Sequence, residues 1–99
     1  YYRRQYDKDF LIKYSEKRGV VVQFDNHAVG QTIRNLRKAE GISQDVLSGF
    51  AGIARTHLSM IENGTKQANF ETIWKIAGAL DMRPSELVAK IEETIEGQE

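Results

Sequence analysis

Residues 43–64 read SQDVLSGFAGIARTHLSMIENG, and they decide the fold of this 99-residue chain. They hold two short amphipathic segments, residues 44–50 and residues 55–63, each followed closely by a glycine. The link between the segments is short, which forces a sharp angle between two helices. The spacing therefore predicts a helix-turn-helix, with Ser43 as the N-cap of its first helix.

The second helix of this pair has two different sides. At about 100° per residue, Leu58 and Ile61 point the same way, and we expect them to be buried. A helix of this length is marginal in water by itself, so the preceding helix must brace it. No enzyme motif explains the residues on the opposite side of this helix, but binding in a nucleic-acid groove could. That side spans an arc of about 140° and carries Arg55, Thr56, Ser59 and Met60.

Hydrophobic spacing predicts three further helices and hence an all-α fold. One covers residues 29–40, with apolar residues at i, i+4 and i+7. Another covers residues 70–80 and is capped by Asn69, and the last begins at Pro84, which suits a first helical turn. In the first four helices, the side chains that we expect to face the core include Val29, Ile33, Leu36, Val46, Leu47, Phe50, Phe70, Ile73, Trp74, Ala77 and Leu80.

Three regions follow from this pattern. Residues 28–96 form the predicted helix-turn-helix domain, residues 97–99 form a tail, and residues 1–27 form an N-terminal extension. Within the extension, residues 7–18 predict a short helix, and the β-branched and aromatic residues 20–24 predict a strand. A lone strand needs a pairing partner, which could be residues 1–6, a second copy of the chain or a missing segment. The chain begins at Tyr1 instead of methionine, so it could be a fragment.

Composition excludes several function classes. The chain has no cysteine, so disulfides, thiolate metal sites and cysteine nucleophiles are excluded. No nucleophile–base spacing or phosphate-cradling glycine loop is present, so we predict neither an enzyme nor a cofactor. His27 and His57 are far apart in sequence, and no metal site is expected. Without a signal peptide or an apolar run of about 20 residues, the expected location is cytoplasmic, with nucleoid association when the protein is bound to DNA.

The charges are unevenly distributed along a chain whose formal net charge is zero. Residues 84–99 carry one basic and five acidic side chains, so the rest of the chain has a net charge of about +4. A locally positive face is therefore compatible with the neutral total. We interpret Arg34 and Lys38 as a solvated face.

Several short motifs occur in order along residues 29–91. They are IRxLR from position 33, GISQ from 41, LSxIENG from 58, ETIxKIAxAL from 71 and PSEL from 84. Together they resemble the helix-turn-helix family of phage repressors and Cro, often called the Xre family. The resemblance implies a compact five-helix, lambda-repressor-like bundle that binds operator-like double-stranded DNA, usually as a dimer.

The resemblance also implies roles for individual residues. The side chains that would contact bases are Arg55, Thr56, Ser59 and Met60. Those that would contact phosphates are Gln44, through a free side-chain amide, and Asn63, Thr65 and Lys66. Arg37 and Glu62 match the ion pair that ties the first helix of the family to the third. Ala54 departs from the family, which usually has a capping residue there.

Two functions remain open at this point. The first is a sequence-specific DNA-binding transcriptional regulator that acts as a homodimer. The second is an antitoxin-like or adaptor module whose residues 1–27 bind a partner protein. For the dimer contact we consider the strand at residues 20–24 or the apolar face of the last helix, which carries Leu87, Val88, Ile91 and Ile95.

Overall fold

The computed structural model describes residues 23–98, which form five helices. These are α1 (Asn26–Ala39), α2 (Gln44–Ala51), α3 (Arg55–Glu62), α4 (Phe70–Ala79) and α5 (Pro84–Glu96). No strand occurs within this range, and the predicted all-α class is confirmed. The predicted helix at residues 7–18 lies outside the described residues, as do residues 20–22 of the predicted strand. Gln23 and Phe24 belong to no regular element.

Helix α1 begins earlier than the sequence pattern predicts. Asp25 is the N-cap, and its side chain accepts a hydrogen bond from the backbone N–H of His27 at 2.9 Å. This bond satisfies one of the free N–H groups of the first turn. The predicted domain boundary after residue 27 therefore falls inside α1.

The helices pack around one core. Helix α1 packs against α3 and α5, α2 packs against α3 and α4, and α4 packs against α5. None of these helices combines the length and apolar character needed to cross a bilayer. Six large side chains in the described range are almost completely buried: Ile33, Leu47, Leu58, Ile61, Ile76 and Leu87.

Four apolar side chains that we predicted to be in the core are instead exposed. The exposed fractions are 40% for Val46, 70% for Phe50, 73% for Phe70 and 55% for Trp74. In α4 the buried residues are Thr72, Ile73, Ile76 and Ala77, which centre on a direction roughly 90–130° from the two aromatic residues. In α2 the buried residues are Leu47, Ser48 and Ala51. The prediction was wrong because it assigned the core side by hydrophobicity alone.

The close contact between α1 and α3 depends on a glycine. Gly30 is buried in α1, and a methyl group on its Cα would overlap the carbonyl oxygen of Ile61 and lie 2.6 Å from the carbonyl oxygen of Glu62. The absence of a side chain therefore lets α1 lie directly on the last turn of α3.

Candidate nucleic-acid interface

Helix α3 has one buried side and one accessible side. Leu58 and Ile61 are buried in the core. Across from them, Arg55, Thr56 and Met60 are exposed and Ser59 is partly exposed. We call Arg55, Thr56, Ser59 and Met60 the α3 stripe. The structure brings these four predicted residues together on one accessible surface.

The turn between α2 and α3 fixes the angle at which the stripe is presented. Gly52 ends α2 in the left-handed conformation, with φ 71°, a value that residues with a Cβ adopt only with strain. The backbone N–H of Ile53 then donates to the carbonyl of Ser48 at 3.1 Å. The Ile53 side chain packs against the core. Ala54 provides no side-chain cap for α3, so packing and this turn must hold the start of the helix.

The end of α3 is held by a buried carboxylate. The Glu62 side chain is inaccessible to solvent, and its Oε2 accepts a hydrogen bond from Arg37 Nε at 2.8 Å. Its Oε1 accepts from Arg37 Nη2 at 3.0 Å and from Gln44 Nε2 at 3.0 Å. Arg34 Nε lies 3.4 Å from the same oxygen. Glu62 therefore links α3 to both α1 and the start of α2.

The surroundings of Glu62 shift the pKa of both partners of the ion pair. Burial alone would raise the pKa of Glu62, but hydrogen bonds from Arg37, Gln44 and Arg34, together with the charge of Arg37, lower it below the usual value. The hydrogen bond with Glu62 raises the pKa of Arg37, although burial opposes this. Both groups are therefore held in their charged forms, and the pair fixes the geometry of α1 relative to α3.

Two of the predicted phosphate contacts already have partners in the protein. We described the Gln44 amide as free, but one of its N–H groups donates to Glu62. The second N–H group of the same nitrogen remains available to a ligand. Asn63 accepts from Arg34 Nη2 at 3.0 Å through Oδ1, which leaves its amide N–H groups available.

The loop after α3 turns around one carbonyl oxygen. The Thr65 hydroxyl donates to the carbonyl of Met60 at 3.1 Å, and the backbone N–H groups of Thr65 and Lys66 point to the same oxygen at 3.0 and 3.2 Å. Thr65 would therefore have to release Met60 before its hydroxyl could donate to another group. The Lys66 side chain is exposed beside this turn.

The structure adds two residues that the sequence analysis did not assign to the site. Asp45 Oδ1 lies 3.4 Å from Arg55 Nε, in an exposed ion pair between α2 and the α3 stripe. Arg34, which we interpreted as solvated, contacts Glu62 and Asn63. The spacing of Arg34 and Arg37 was an available signal, because residues three apart share a helix face. No comparable local signal pairs Asp45 with Arg55.

The sequence pattern of the Helix-turn-helix family matches residues 33–87, which is more than half of the chain and includes α2, α3 and α4. The chain belongs to the Cro/C1-type helix-turn-helix family. The resemblance predicted from the sequence motifs is thereby confirmed.

Three similar proteins show the range of this likeness. The uncharacterized HTH-type transcriptional regulator y4dJ of Sinorhizobium fredii is 30% identical over 66 residues, which is 67% of this chain and 86% of that protein. The restriction-modification controller protein C.AhdI from Aeromonas hydrophila has a crystal structure with a TM-score of 0.61 and 37% identity. The match covers 63% of this chain and 94% of C.AhdI.

The third is the controller protein C.Esp1396I, solved as a tetramer in complex with its natural 35-base-pair operator. It has a TM-score of 0.68 and 20% identity, and the match covers 74% of this chain and 96% of that one. At this identity the likeness shows the fold alone. The relatives as a group favour the regulator over the antitoxin-like or adaptor alternative. A partner-protein contact through residues 1–27 stays a prediction.

Proposed function

We propose that this chain is a sequence-specific transcriptional regulator that binds double-stranded DNA by placing α3 in the major groove. The observation that carries the proposal is the α3 stripe. It consists of accessible polar side chains and one methionine on a short helix whose opposite side is buried and whose end is fixed by Glu62. A rigid helix with this exposed composition suits the width of a major groove. Family members with the same pattern are regulators.

Each side chain of the α3 stripe suits a different feature of the base edges. Arg55 would donate two hydrogen bonds to O6 and N7 of a guanine. Its Nε is oriented by Asp45, so the two terminal nitrogens of the guanidinium remain for the base. Thr56 and Ser59 would contribute hydroxyl contacts, and Met60 would contact apolar surface such as a thymine methyl group.

The phosphate contacts would come from the start of α2 and the loop after α3. Gln44 and Asn63 each keep amide hydrogens that could be donated to phosphate oxygens, and Lys66 adds a positive charge. Thr65 would join them only after its hydroxyl leaves the carbonyl of Met60. Such contacts position the protein on the duplex without reading its sequence.

A homodimer would place two α3 helices on one side of the duplex, about 34 Å or one helical turn apart. The operator complex of C.Esp1396I, which has the same fold, contains a multimer on one DNA molecule. Multimeric binding to a site with two-fold symmetry is therefore the expected mode, in the cytoplasm and at the nucleoid.

The test begins with selection of bound oligonucleotides from a random pool at near-physiological salt. The dissociation constants of Arg55→Ala and Gln44→Ala are then measured on the selected duplex and on a random duplex. Loss of one bidentate base contact costs about 1–3 kcal/mol, so Arg55→Ala should bind the selected site about 10–100-fold more weakly and change random binding far less. Gln44→Ala should weaken binding to both duplexes about equally.

Lys75→Ala is the matched control, because Lys75 is an exposed cation on α4 that pairs with Glu71. It should bind both duplexes like the original protein. If no sequence is enriched from the pool, the proposed function is wrong. If Arg55→Ala weakens binding to both duplexes equally, Arg55 contacts only the DNA backbone, and the proposed base contact is wrong.

A further inference from the structure

The Arg34 side chain, on α1, bridges two residues at the end of α3. Its Nε lies 3.4 Å from Glu62 Oε1, and its Nη2 donates a hydrogen bond to Asn63 Oδ1 at 3.0 Å. The Arg34 side chain is 40% exposed, and Asn63 is exposed. The bridge therefore joins the buried end of α3 to a side chain on the surface that precedes the loop to α4.

We propose that Arg34 is a positioning residue for DNA binding, which holds the Asn63 amide in the orientation that presents its N–H groups to a phosphate. The proposal rests on the proposed function, in which Asn63 contacts the DNA backbone. It adds a residue on which that contact depends, although the residue itself does not touch the duplex.

The chemistry of the guanidinium decides which end of the amide faces Arg34. A guanidinium carries five N–H donors and no acceptor, so only Oδ1 of Asn63 can bond to it. Turning the amide by 180° would place two donors against each other. The observed bond is charge-assisted, which makes it roughly twice as strong as a bond between neutral groups. The amide nitrogen of Asn63 is therefore kept on the side away from Arg34, with both of its hydrogens available.

Arg34 can orient Asn63 because Arg34 is itself anchored. The Glu62 carboxylate that it contacts is inaccessible to solvent and is fixed by two hydrogen bonds from Arg37. The bridge needs two nitrogens in a fixed fork, with Nε at Glu62 and Nη2 at Asn63. A lysine has one nitrogen at the end of a flexible chain, so it cannot occupy both positions.

Arg34 also contributes charge, and this effect must be separated from positioning. A phosphate at Asn63 would approach the C-terminal end of α3, where the helix dipole is negative. Arg37 balances the charge of Glu62, so Arg34 gives the cluster its net positive charge. Arg34→Lys keeps this charge and removes the fork, which makes it the deciding variant.

The first measurement is made without DNA. In the ¹⁵N-labelled full chain, the side-chain NH₂ signal of Asn63 is identified by its loss from the spectrum of Asn63→Ala. The proposal predicts that its heteronuclear Overhauser effect approaches that of the α3 backbone amides and falls clearly in Arg34→Lys. Asn35, an exposed asparagine on α1, is the control in the same spectra, and its signal should be equal in both proteins.

The second measurement is the dissociation constant on the selected and random duplexes. Arg34→Lys should weaken binding to both about two- to tenfold per subunit, the range for loss of one hydrogen bond. Asn63→Ala should weaken binding at least as much, and the double variant should bind no more weakly than Asn63→Ala, because Arg34 acts through Asn63.

Two controls separate positioning from folding. Arg83→Lys makes the same substitution at an exposed arginine next to α5 and should bind both duplexes like the original protein. Arg34→Lys should also unfold at nearly the original urea concentration, because a partly exposed ion pair contributes little stability.

Three results would overturn the proposal. Original affinity in Arg34→Lys would show that charge alone is sufficient. An equal loss from Arg34→Lys with and without the Asn63 side chain would show that Arg34 contacts DNA itself. A mobile Asn63 amide in the original protein would show that Arg34 does not hold it. An ordered amide that loosens in Arg34→Lys, in a chain that binds no duplex, would confirm the positioning and contradict only the proposed function.

Discussion

Arg37 donates two parallel hydrogen bonds to Glu62, from Nε to Oε2 at 2.8 Å and from Nη2 to Oε1 at 3.0 Å. This bidentate pair joins α1 to the last residue of α3 and lies out of contact with most of the solvent. A buried pair of this kind adds little net stability compared with apolar packing, but removing one partner leaves an uncompensated charge. The pair therefore makes the placement of α3 sensitive to a single carboxylate.

Glu62→Gln should destabilise the domain by about 3 kcal/mol at pH 7, because it leaves Arg37 buried without a counter-ion. The pH dependence should change as well. The pKa of Glu62 is lowered in the folded state, so its contribution to the free energy of unfolding is complete above the usual value of 4.5 and is lost as pH falls through the folded-state pKa. Urea unfolding between pH 7 and pH 3 measures both effects.

Glu40→Gln is the control for this prediction, because Glu40 is an exposed carboxylate at the end of α1. The stability difference between the original protein and Glu62→Gln should shrink at low pH, whereas Glu40→Gln should stay close to the original protein at pH 7. A Glu62→Gln variant that loses no stability at pH 7 would show that the pair is not needed to hold α3.

Gly30→Ala should destabilise the domain by about 3 kcal/mol or more. The added methyl group would overlap the backbone carbonyl of Ile61, and backbone cannot move aside as a flexible side chain can. Inserting a methyl group into a packed core typically costs about 1–3 kcal/mol. Thermal and urea unfolding of the variant measure this cost, and weakened DNA binding should accompany it because α1 positions α3.

Gly49→Ala provides the matched control with the opposite sign. Gly49 lies in α2, and an added Cβ there would have no neighbour within 4 Å. Alanine is favoured over glycine in a helix by about 1 kcal/mol, so this variant should be more stable than the original protein. If the two alanine variants had equal stabilities, close packing at Gly30 would not be what holds α1 against α3.

The sequence predicted most of the scaffold because its signals are local. Spacing of apolar residues located all five helices, and Ser43 and Asn69 cap α2 and α4 as predicted. The start of α1 was missed because an Asp-Asn pair is equally typical of a turn and of a helix N-cap. Hydrophobicity could not separate core aromatics from surface aromatics such as Trp74, because both are apolar.

The candidate site was only partly predictable from the sequence, because only some of its features depend on local signals. The α3 stripe follows from helical periodicity and the motifs, so its four members were found. The contacts that orient the stripe depend on tertiary packing. The Asp45–Arg55 pair joins different helices. The Glu62 carboxylate accepts a hydrogen bond from the Gln44 amide, which we predicted to be free.

Asp45→Asn should lower sequence discrimination while it strengthens binding to random DNA. Asp45 is a carboxylate at the start of α2, close to the proposed DNA surface, and it holds Arg55 Nε at 3.4 Å. An exposed pair is worth about 0–1 kcal/mol, so the ratio of the two dissociation constants should fall about two- to fivefold. Fluorescence anisotropy on the selected and random duplexes measures this ratio. An unchanged ratio would show that Asp45 does not orient Arg55.

Lys66→Ala should reduce the salt dependence of DNA binding. Among the proposed phosphate contacts, Lys66 is the only cation, since Gln44, Asn63 and Thr65 are neutral. Each neutralised phosphate contributes about 0.9 to the slope of log K against log salt concentration, so a dimer that lacks both lysines should lose about 2 from its slope. Binding at 50 to 200 mM salt measures it.

Two further variants serve as controls for the salt dependence measured with Lys66→Ala. Gln44→Ala should weaken binding without changing the slope, because a neutral donor releases no counter-ion. Lys75→Ala removes the same charge from α4, outside the helix-turn-helix, and should change neither affinity nor slope. If Lys66→Ala kept the original slope, the ammonium group of Lys66 would not contact phosphate. The positive charge of the DNA-binding surface would then have to come from another residue. Arg34, which contacts Asn63, would be the next residue to substitute.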